Sequence, residues 1–575
     1  MTSIQPTPDG SLLASHESPK TPAPKPSLAP DQLEHAKTIE QLVEGETKWD
    51  QRLIRWSNWL NPILVKETRQ ALKSKQFTWT LLVLTIVVLG WSVAAIVGMI
   101  PSIYYASNGS GLLFGYLVIL VIPTFIIIPQ AMFRSMASEL DDGTFETLSL
   151  SSLSSSSILT GKLSVAVLQL VVYFSVIAPC IALTYLLRGV TLEVIAMYLL
   201  VIFSSSIALS TVAIVIASLS KSRASQVFFS IVLLVGQAIA AMYACGVLSS
   251  LGGTGILGTE AWTMLGVYLL VLIAYGWLLL RCGSSAIGVV SENRSTPIRV
   301  ALLVVGLVFA MLCGFLAICF GDRNSMQEMI GVVTTFLFIH WGFAGSIMMG
   351  EQGNIPVRAR RSLPSSLLGR VFLTWMNPGA GPGYLFVILS FAGSALTMAI
   401  TPWLIMNPAI SNIKIGSIIY SVALLSYLAM YLGIVRLLFL LVFKNMKSSR
   451  LLFSFICSCV LLVVSVLLTC SLSLAANDYQ TMKYDWYCFP NMFWTLGDVF
   501  PDGTSVVWAT LQHYQGLGCL GATALAVTLA NVLMTTKDVV LLRIETPERV
   551  RKEKEKFRNK PETETDLVPV DPFSS

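Results

Sequence analysis

The chain has 575 residues, of which 54% are hydrophobic and only 12% are charged, and its mean hydropathy is +0.71. Soluble domains carry about 25% charged residues, so this composition excludes a soluble globular protein of this length. The apolar residues instead form blocks of about 20, the length that a helix needs to cross the hydrocarbon core of a membrane. The composition therefore predicts an all-α, polytopic membrane protein.

The chain begins with two segments that precede the apolar blocks. Residues 1–48 are rich in Pro, Ser and Thr and predict a disordered cytosolic tail. Residues 49–76 predict an amphipathic helix that lies on membrane lipids, with Asn61 as a helix cap and Pro62 at the first helical position. Its apolar positions recur every three to four residues: Trp49, Leu53, Trp56 and Leu60.

Twelve apolar blocks follow, and each predicts one membrane span. The predicted spans are 78–100, 112–133, 163–187, 194–219, 225–248, 262–281, 300–320, 329–350, 384–405, 415–442, 451–475 and 515–536. An even number of spans places both termini on the same side of the membrane.

The distribution of basic residues predicts that this side is the cytosol. Of the 38 Lys and Arg residues, all but five fall on segments that are cytosolic in this arrangement. Four would lie outside and one within a span: Arg188, Arg323, Lys414, Lys483 and Arg436. A bias of this size follows the positive-inside rule, and we expect the protein in the cytoplasmic (inner) membrane of a bacterium.

We expect the twelve predicted spans to form two groups of six. Residues 77–290 form the first group, with a polar cytosolic loop at 134–162, and residues 291–540 form the second, with an exoplasmic loop at 476–514. A charged cytosolic tail, 541–575, ends the chain. Trp59-Leu60-Asn61-Pro62 is echoed by Trp375-Met376-Asn377-Pro378, which hints at duplication without showing a clean six-plus-six repeat.

The sequence lacks the usual signals of an energy source. No stretch matches the phosphate-binding pattern G-x-x-x-x-G-K-[ST], so we expect the chain not to be an ATPase. The central parts of the predicted spans contain no Asp or Glu, which argues against coupling to protons or sodium ions. The ten cysteines form no C-x-x-C pattern, and we expect neither a bound metal nor a nucleic-acid partner.

Two other functions stay open on particular residues. An ion-driven secondary carrier would need a coupling site that the spans do not display. A membrane-embedded transferase could use His340, within a span, or the exoplasmic aspartates. These aspartates lie in an aromatic-rich loop: Asp478, Asp485, Asp498 and Asp502.

The cytosolic loop of the first group carries the most informative motif. Its residues are Glu139, Gly143, Thr144, Phe145, Glu146 and Leu148, followed by Leu153-Ser154, Ile158-Leu159 and Gly161-Lys162-Leu163. Asp142-Gly143 predicts a turn, after which Thr144 can cap a short helix and Glu146 favours its positive N-terminal end. The second part of the pattern lies in the interfacial helix: Asn61-Pro62-Ile63, Lys66, Glu67 and Arg69.

These residues resemble the type-two ABC transporter permeases over about residues 49–285. The family pattern is roughly E-x-x-x-G-T-L-E-x-L, T-P-L-S and I-L-x-G-K-L. Ser151-Ser152 stands where the family has Thr-Pro, and the second group of spans has no copy of the loop motif.

The resemblance implies that the chain is the membrane subunit of an exporter. The loop would dock as a coupling helix on a separate ABC ATPase subunit that binds ATP and Mg²⁺, and a homodimer or a second permease subunit would complete the transporter. The predicted docking residues are Glu139, Gly143, Thr144, Phe145, Glu146, Leu148, Gly161 and Lys162. The predicted residues of the interfacial helix are Asn61, Pro62, Lys66, Glu67 and Arg69.

Overall fold

A computed structural model describes most of the chain between residues 62 and 552. The described ranges are 62–100, 105–106, 108–141, 154–187, 189–220, 222–251, 259–288, 294–319, 323–353, 375–405, 411–443, 450–500, 511–540, 548–550 and 552. Helices dominate these ranges, and no strand occurs in them. The chain divides into two compact units, Met1–Val65 and Lys66–Ser575, and the description of the first unit covers residues 62–65 alone.

Fourteen α-helices make up the described part of the fold. The first seven are α1 (Pro62–Leu72), α2 (Lys75–Met99), α3 (Gly109–Asp141), α4 (Ser155–Leu186), α5 (Leu192–Leu219), α6 (Arg223–Leu251) and α7 (Thr259–Ile287). The others are α8 (Ser295–Cys319), α9 (Arg323–Met348), α10 (Ala380–Ile405), α11 (Ser411–Leu441), α12 (Arg450–Ala476), α13 (Met492–Val499) and α14 (Leu511–Val540).

Twelve of these helices are long and apolar enough to cross a membrane, all except α1 and α13 among the described residues. Each corresponds to one predicted span, so the prediction of an all-α polytopic membrane protein is confirmed. Their sides carry many exposed Leu, Ile, Val and Phe side chains. Such surfaces are stable only when hydrocarbon covers them.

Short polar side chains fix where several helices begin. Ser74, Ser154 and Thr191 each precede a helix, and each side-chain oxygen accepts a hydrogen bond from the backbone N–H three residues later. This contact satisfies one of the N–H groups that the first turn leaves without a partner. Ser154 belongs to the loop motif, so the motif also sets the start of α4.

Helix extends further into the predicted cytosolic loop, 134–162, than the sequence predicted. α3 continues to Asp141 and α4 begins at Ser155, whereas the predicted spans ended at 133 and began again at 163. Glu139, Gly161 and Lys162 therefore lie on helices and not in a loop. At 1.5 Å per residue, both helices are about 50 Å long and extend well beyond a ~30 Å hydrocarbon core.

The helices pack mainly within two groups along the chain. α3 packs against α4, α5 and α6, while α10 and α11 pack against each other and share a large apolar core with α8 and α9. α7 packs on both α5 and α8 and so connects the groups. The predicted boundary at residue 290 stays a prediction.

The middle of α3 is not regular. Pro123–Ile127 form a π-helical turn between two α-helical stretches, Gly109–Ile122 and Ile128–Asp141. Pro123 has no backbone N–H to donate, which interrupts the backbone hydrogen bonds of the helix. The neighbouring hydroxyl of Thr124 donates to the carbonyl of Leu120, 2.7 Å away. Single π-helical turns within α-helices are frequent at functional sites.

The segment after α12 forms a small cap over the second group of helices. It contains a 3₁₀ turn, Trp486–Cys488, and α13. Two tyrosines one turn apart on α11 hold it, because Tyr427 donates to the carbonyl of Phe489 (2.7 Å) and Tyr431 to that of Pro490 (2.5 Å). Burial raises the pKa of the Cys488 thiol above its usual range, so this cysteine is a packed side chain and not a reactive one.

Candidate functional site

A buried cluster joins the two parts of the sequence motif. The ammonium of Lys162 lies 3.0 Å from a carboxylate oxygen of Glu139 and 3.4 Å from one of Glu67. It also donates to the hydroxyl of Ser135 at 2.8 Å, and that hydroxyl donates to Glu67 at 3.3 Å. The Lys162 side chain is 1% exposed, so these groups take the place of water around the charge.

The side chains of this cluster come from three helices. Glu67 comes from α1, Ser135 and Glu139 lie one turn apart on α3, and Lys162 lies two turns into α4. The spacing of four residues puts Ser135 and Glu139 on one face of α3. The cluster therefore fixes α1 against the ends of α3 and α4 that precede and follow the loop.

The electrostatics of this cluster make all its members interdependent. A buried ammonium is costly unless it is paired and hydrogen-bonded, and here it meets two carboxylates and a hydroxyl. Removing one member of a buried pair typically costs about 3–5 kcal/mol, because the remaining charge loses its partner. We infer a rigid connection at this end of the bundle.

The other predicted site residues fall into two sets. Gly161 is buried beside Lys162, while Lys66 and Arg69 are exposed on α1. The centre of the docking motif lies outside the described residues, as does the residue before α1: Gly143, Thr144, Phe145, Glu146, Leu148 and Asn61. Pro62 is the first residue of α1, which agrees with the predicted restart of the helix.

Sequence reasoning missed two contacts of this region. Ser135 carries no sequence signal, because one serine on an amphipathic helix end is ordinary. Asp141 lies 3.7 Å from Arg223 and accepts a hydrogen bond from Gln226 at 2.9 Å, contacts that no sequence pattern predicts. Since α6 begins at Arg223, these contacts connect α6 to the same end of α3.

A second buried cation lies in the second group of helices. Arg299 on α8 binds the carboxylate of Glu351, at 2.5 Å, and the backbone carbonyl of Trp375. Its neighbour Thr296 donates to the carbonyl of Met376 at 3.0 Å. These contacts hold the segment that echoes Trp59-Leu60-Asn61-Pro62. No sequence signal distinguished Arg299 from other arginines near a span.

The residues proposed for a transferase have packing and capping contacts. The Nδ1 atom of His340 is 2.9 Å from the hydroxyl of Tyr275, and aromatic rings pack around it. In the cap, Asp485 accepts from the backbone N–H of Trp486 at 2.7 Å, and Asp498 lies 2.7 Å from His513. Asp478 takes a positive φ at a turn. Asp502 lies outside the described residues.

Comparisons with known proteins give this chain no family. No family model matches the chain, and comparisons with curated proteins and with solved structures find no match either. Among the described residues, no group of three or more His, Cys, Asp or Glu side chains could hold a metal ion. The functional conclusion rests on the membrane architecture, the motif and the buried cluster.

Proposed function

We propose that this chain is the permease subunit of an ABC exporter in a bacterial cytoplasmic membrane. A separate ATPase subunit, which binds ATP and Mg²⁺, docks on the segment between α3 and α4 and drives movement of the spans. The contact of Lys162 with both Glu67 and Glu139 is the observation that best supports this. In the sequence, these three residues are far apart and belong to different parts of a dispersed motif.

The physical reason is mechanical. An ATPase can power a permease only if its movement reaches the spans through a rigid connection. The segment between α3 and α4 is attached directly to the two helix ends that Lys162 ties to α1. A docking partner that moves this segment would therefore move α1, α3 and α4 together.

The membrane architecture itself is compatible with other transporters. The carboxylates of Glu67 and Glu139 are partly exposed, lie near helix ends and are already paired with Lys162. Neither they nor the contacts of His340 specifically favour an ion-driven carrier or a transferase. We therefore propose one function.

Charge reversal in the docking segment tests the proposal. The tagged chain is purified from native membranes with its associated Walker-type ATPase, and the bound ATPase and its ATP hydrolysis are measured. We expect Glu146→Lys to leave membrane insertion and abundance unchanged and to reduce ATPase association at least about tenfold, which corresponds to about 1.4 kcal/mol.

Glu548→Lys is the matched control, because it makes the same charge change on an exposed residue of the predicted cytosolic tail. It should retain the ATPase. Equal ATPase association for Glu146→Lys and the wild-type chain would contradict the proposed docking site. Transport by the purified chain under an ion gradient, without nucleotide, would contradict the proposed function as a whole.

A further inference from the structure

A groove lies between α7 and α8, beyond the region where these two helices pack in the core. Ala274 of α7 and Ala301 and Val305 of α8 are buried in the same apolar core. Toward the start of α7 and the end of α8, a cavity of about 650 Å³ opens between the helices. This volume is in the range of ligand-binding sites, roughly 300–1,000 Å³. The residues that line it include Trp262, Gly266, Leu270, Val308, Met311 and Phe315.

The absence of a side chain at Gly266 contributes to this space. A Cβ atom at Gly266 would meet no atom within 4 Å. Trp262, Gly266 and Leu270 follow one another at intervals of four residues, so they share one face of α7. A larger side chain at residue 266 would therefore enter the groove without a clash at its Cβ.

The lining of the groove suits hydrocarbon and not water. The side-chain N–H and O–H groups of the lining are the indole of Trp262 and the hydroxyl of Thr263, which lie together at one end. A water molecule in a cavity needs two to four polar partners. The rest of the groove offers no such set, so an apolar ligand is favoured there.

The groove opens onto the surface that the membrane covers. Trp262, Met311 and Phe315 are exposed, and Ile273 and Leu307 continue this exposed apolar surface along the two helices. Both helices are long and apolar enough to cross a membrane, so hydrocarbon covers their exposed sides. The groove is thus continuous with the lipid-facing surface, and a lipid chain enters it directly from the bilayer.

The length of the groove matches one leaflet of the bilayer. From Trp262 to Leu270, α7 rises about 12 Å, and one leaflet of a ~30 Å hydrocarbon core is about 15 Å thick. Trp262 lies in the first turn of α7, and tryptophans at the ends of membrane helices lie at the level of the lipid head groups. The groove therefore begins at the head-group level and extends toward the middle of the bilayer.

We propose that this groove binds an acyl chain of a phospholipid, in the leaflet that the predicted topology places on the exoplasmic side. The apolar lining recognises the chain, and the head group lies outside the groove near Trp262. This inference goes beyond the proposed function and does not depend on it.

The exposed side chains of the groove favour an acyl chain over a membrane helix of another protein. Helices in membranes approach one another closely through small residues at their contact. Gly266 is small, but it shares the groove with Trp262, Met311 and Phe315, which are large and exposed. These side chains keep a second backbone at a distance, whereas a thin acyl chain lies between them and the flexible Met311 adapts to it.

Photocrosslinking tests the site. The purified chain is reconstituted in nanodiscs that contain a phosphatidylcholine with a diazirine midway along one acyl chain. It is then extracted into detergent, washed free of bulk lipid and irradiated, and mass spectrometry of its peptides locates the retained lipid. We expect crosslinks to concentrate at residues 262–270 and 308–315. Gly266→Leu should lower their yield about tenfold, because the leucine side chain occupies the groove.

Gly276→Leu is the matched control. Gly276 lies on the same helix and outside the groove, and a Cβ atom there also meets no atom within 4 Å. This variant should crosslink as the wild-type chain does. Both variants should have a Tm equal to or above that of the wild type, because glycine is a poor helix former. A lower yield for Gly266→Leu alone would therefore report the groove and not the fold.

Three results would overturn the proposal: crosslinks spread evenly over the lipid-facing helices of the wild type, an equal yield for Gly266→Leu, or an equal loss in both variants. A change of oligomeric state in Gly266→Leu, with no lipid crosslinked in the groove of the wild type, would assign the groove to a neighbouring helix and would also overturn it.

Discussion

The first group of helices buries Lys162 near a helix end and the second buries Arg299, and different chemistry holds each of these two cations. Lys162 meets two carboxylates and a hydroxyl, whereas Arg299 meets one carboxylate and two backbone carbonyls, those of Trp375 and Gly379. The lysine ammonium is a compact charge that can donate hydrogen bonds to several acidic side chains around it. Arginine presents five donors in a fixed plane and can bind several carbonyls at once.

The order of these parts along the chain also differs. Lys162 follows its interfacial helix, α1, by two spans, whereas Arg299 precedes the echo segment that it holds. A simple duplication would place the two cations at equivalent positions. In the first group, Lys162 holds the helix that begins at the Pro of Trp-x-Asn-Pro. In the second group, Arg299 holds the Trp-x-Asn-Pro segment itself. The two cations therefore do similar work from positions that are not equivalent.

The largest expected effect is that of Lys162→Met. This change keeps the apolar stem and removes the charge, which leaves Glu67 and Glu139 buried without their cation. We expect a loss of about 3–5 kcal/mol in the free energy of unfolding, measured by denaturation in detergent micelles. Arg223→Met is the control, because Arg223 is 89% exposed and its pair with Asp141 should contribute less than about 1 kcal/mol. Similar losses for both variants would show that the Lys162 cluster is not a rigid connection.

Exchange of the second cation tests the chemical distinction between the groups. Arg299→Lys keeps the charge but cannot reach the carboxylate and both carbonyls together. We expect a loss of about 2 kcal/mol, the typical contribution of a hydrogen bond to a charged group. Arg281→Lys, on the exposed side of α7, should change stability by less than about 0.5 kcal/mol. An Arg299→Lys variant as stable as the wild type would mean that charge alone holds the echo segment.

The smallest effect distinguishes the two carboxylates of the first group. Double-mutant cycles of Lys162→Met with Glu139→Gln and with Glu67→Gln measure each pairwise coupling. We expect about 1–2 kcal/mol for Glu139, at 3.0 Å, and less for Glu67, at 3.4 Å. The reverse order would contradict the expectation that the closer of the two carboxylates is the main partner of Lys162.

The sequence predicted the spans well because length and apolar composition alone define a membrane helix. It missed the end of α3 and the start of α4, since residues 134–141 and 155–162 are too polar to resemble a lipid-embedded helix. These helix ends carry residues of the Lys162 cluster. The helix can continue there because its backbone hydrogen bonds do not depend on apolar side chains.

The candidate sites were predictable only as separate residues. Glu67, Glu139 and Lys162 were all expected to matter through the family resemblance, but their contact is a tertiary property that no local pattern encodes.

The Lys162 cluster also has a consequence for biosynthesis. The chain is made from its N-terminus, so α1 and α3 leave the ribosome with Glu67 and Glu139 before Lys162 exists to neutralise them. A nascent chain that ends before residue 162 carries two carboxylates whose buried positions are unfavourable without a counter-charge. We therefore expect α1 to take its final position only after the first turns of α4 have been made.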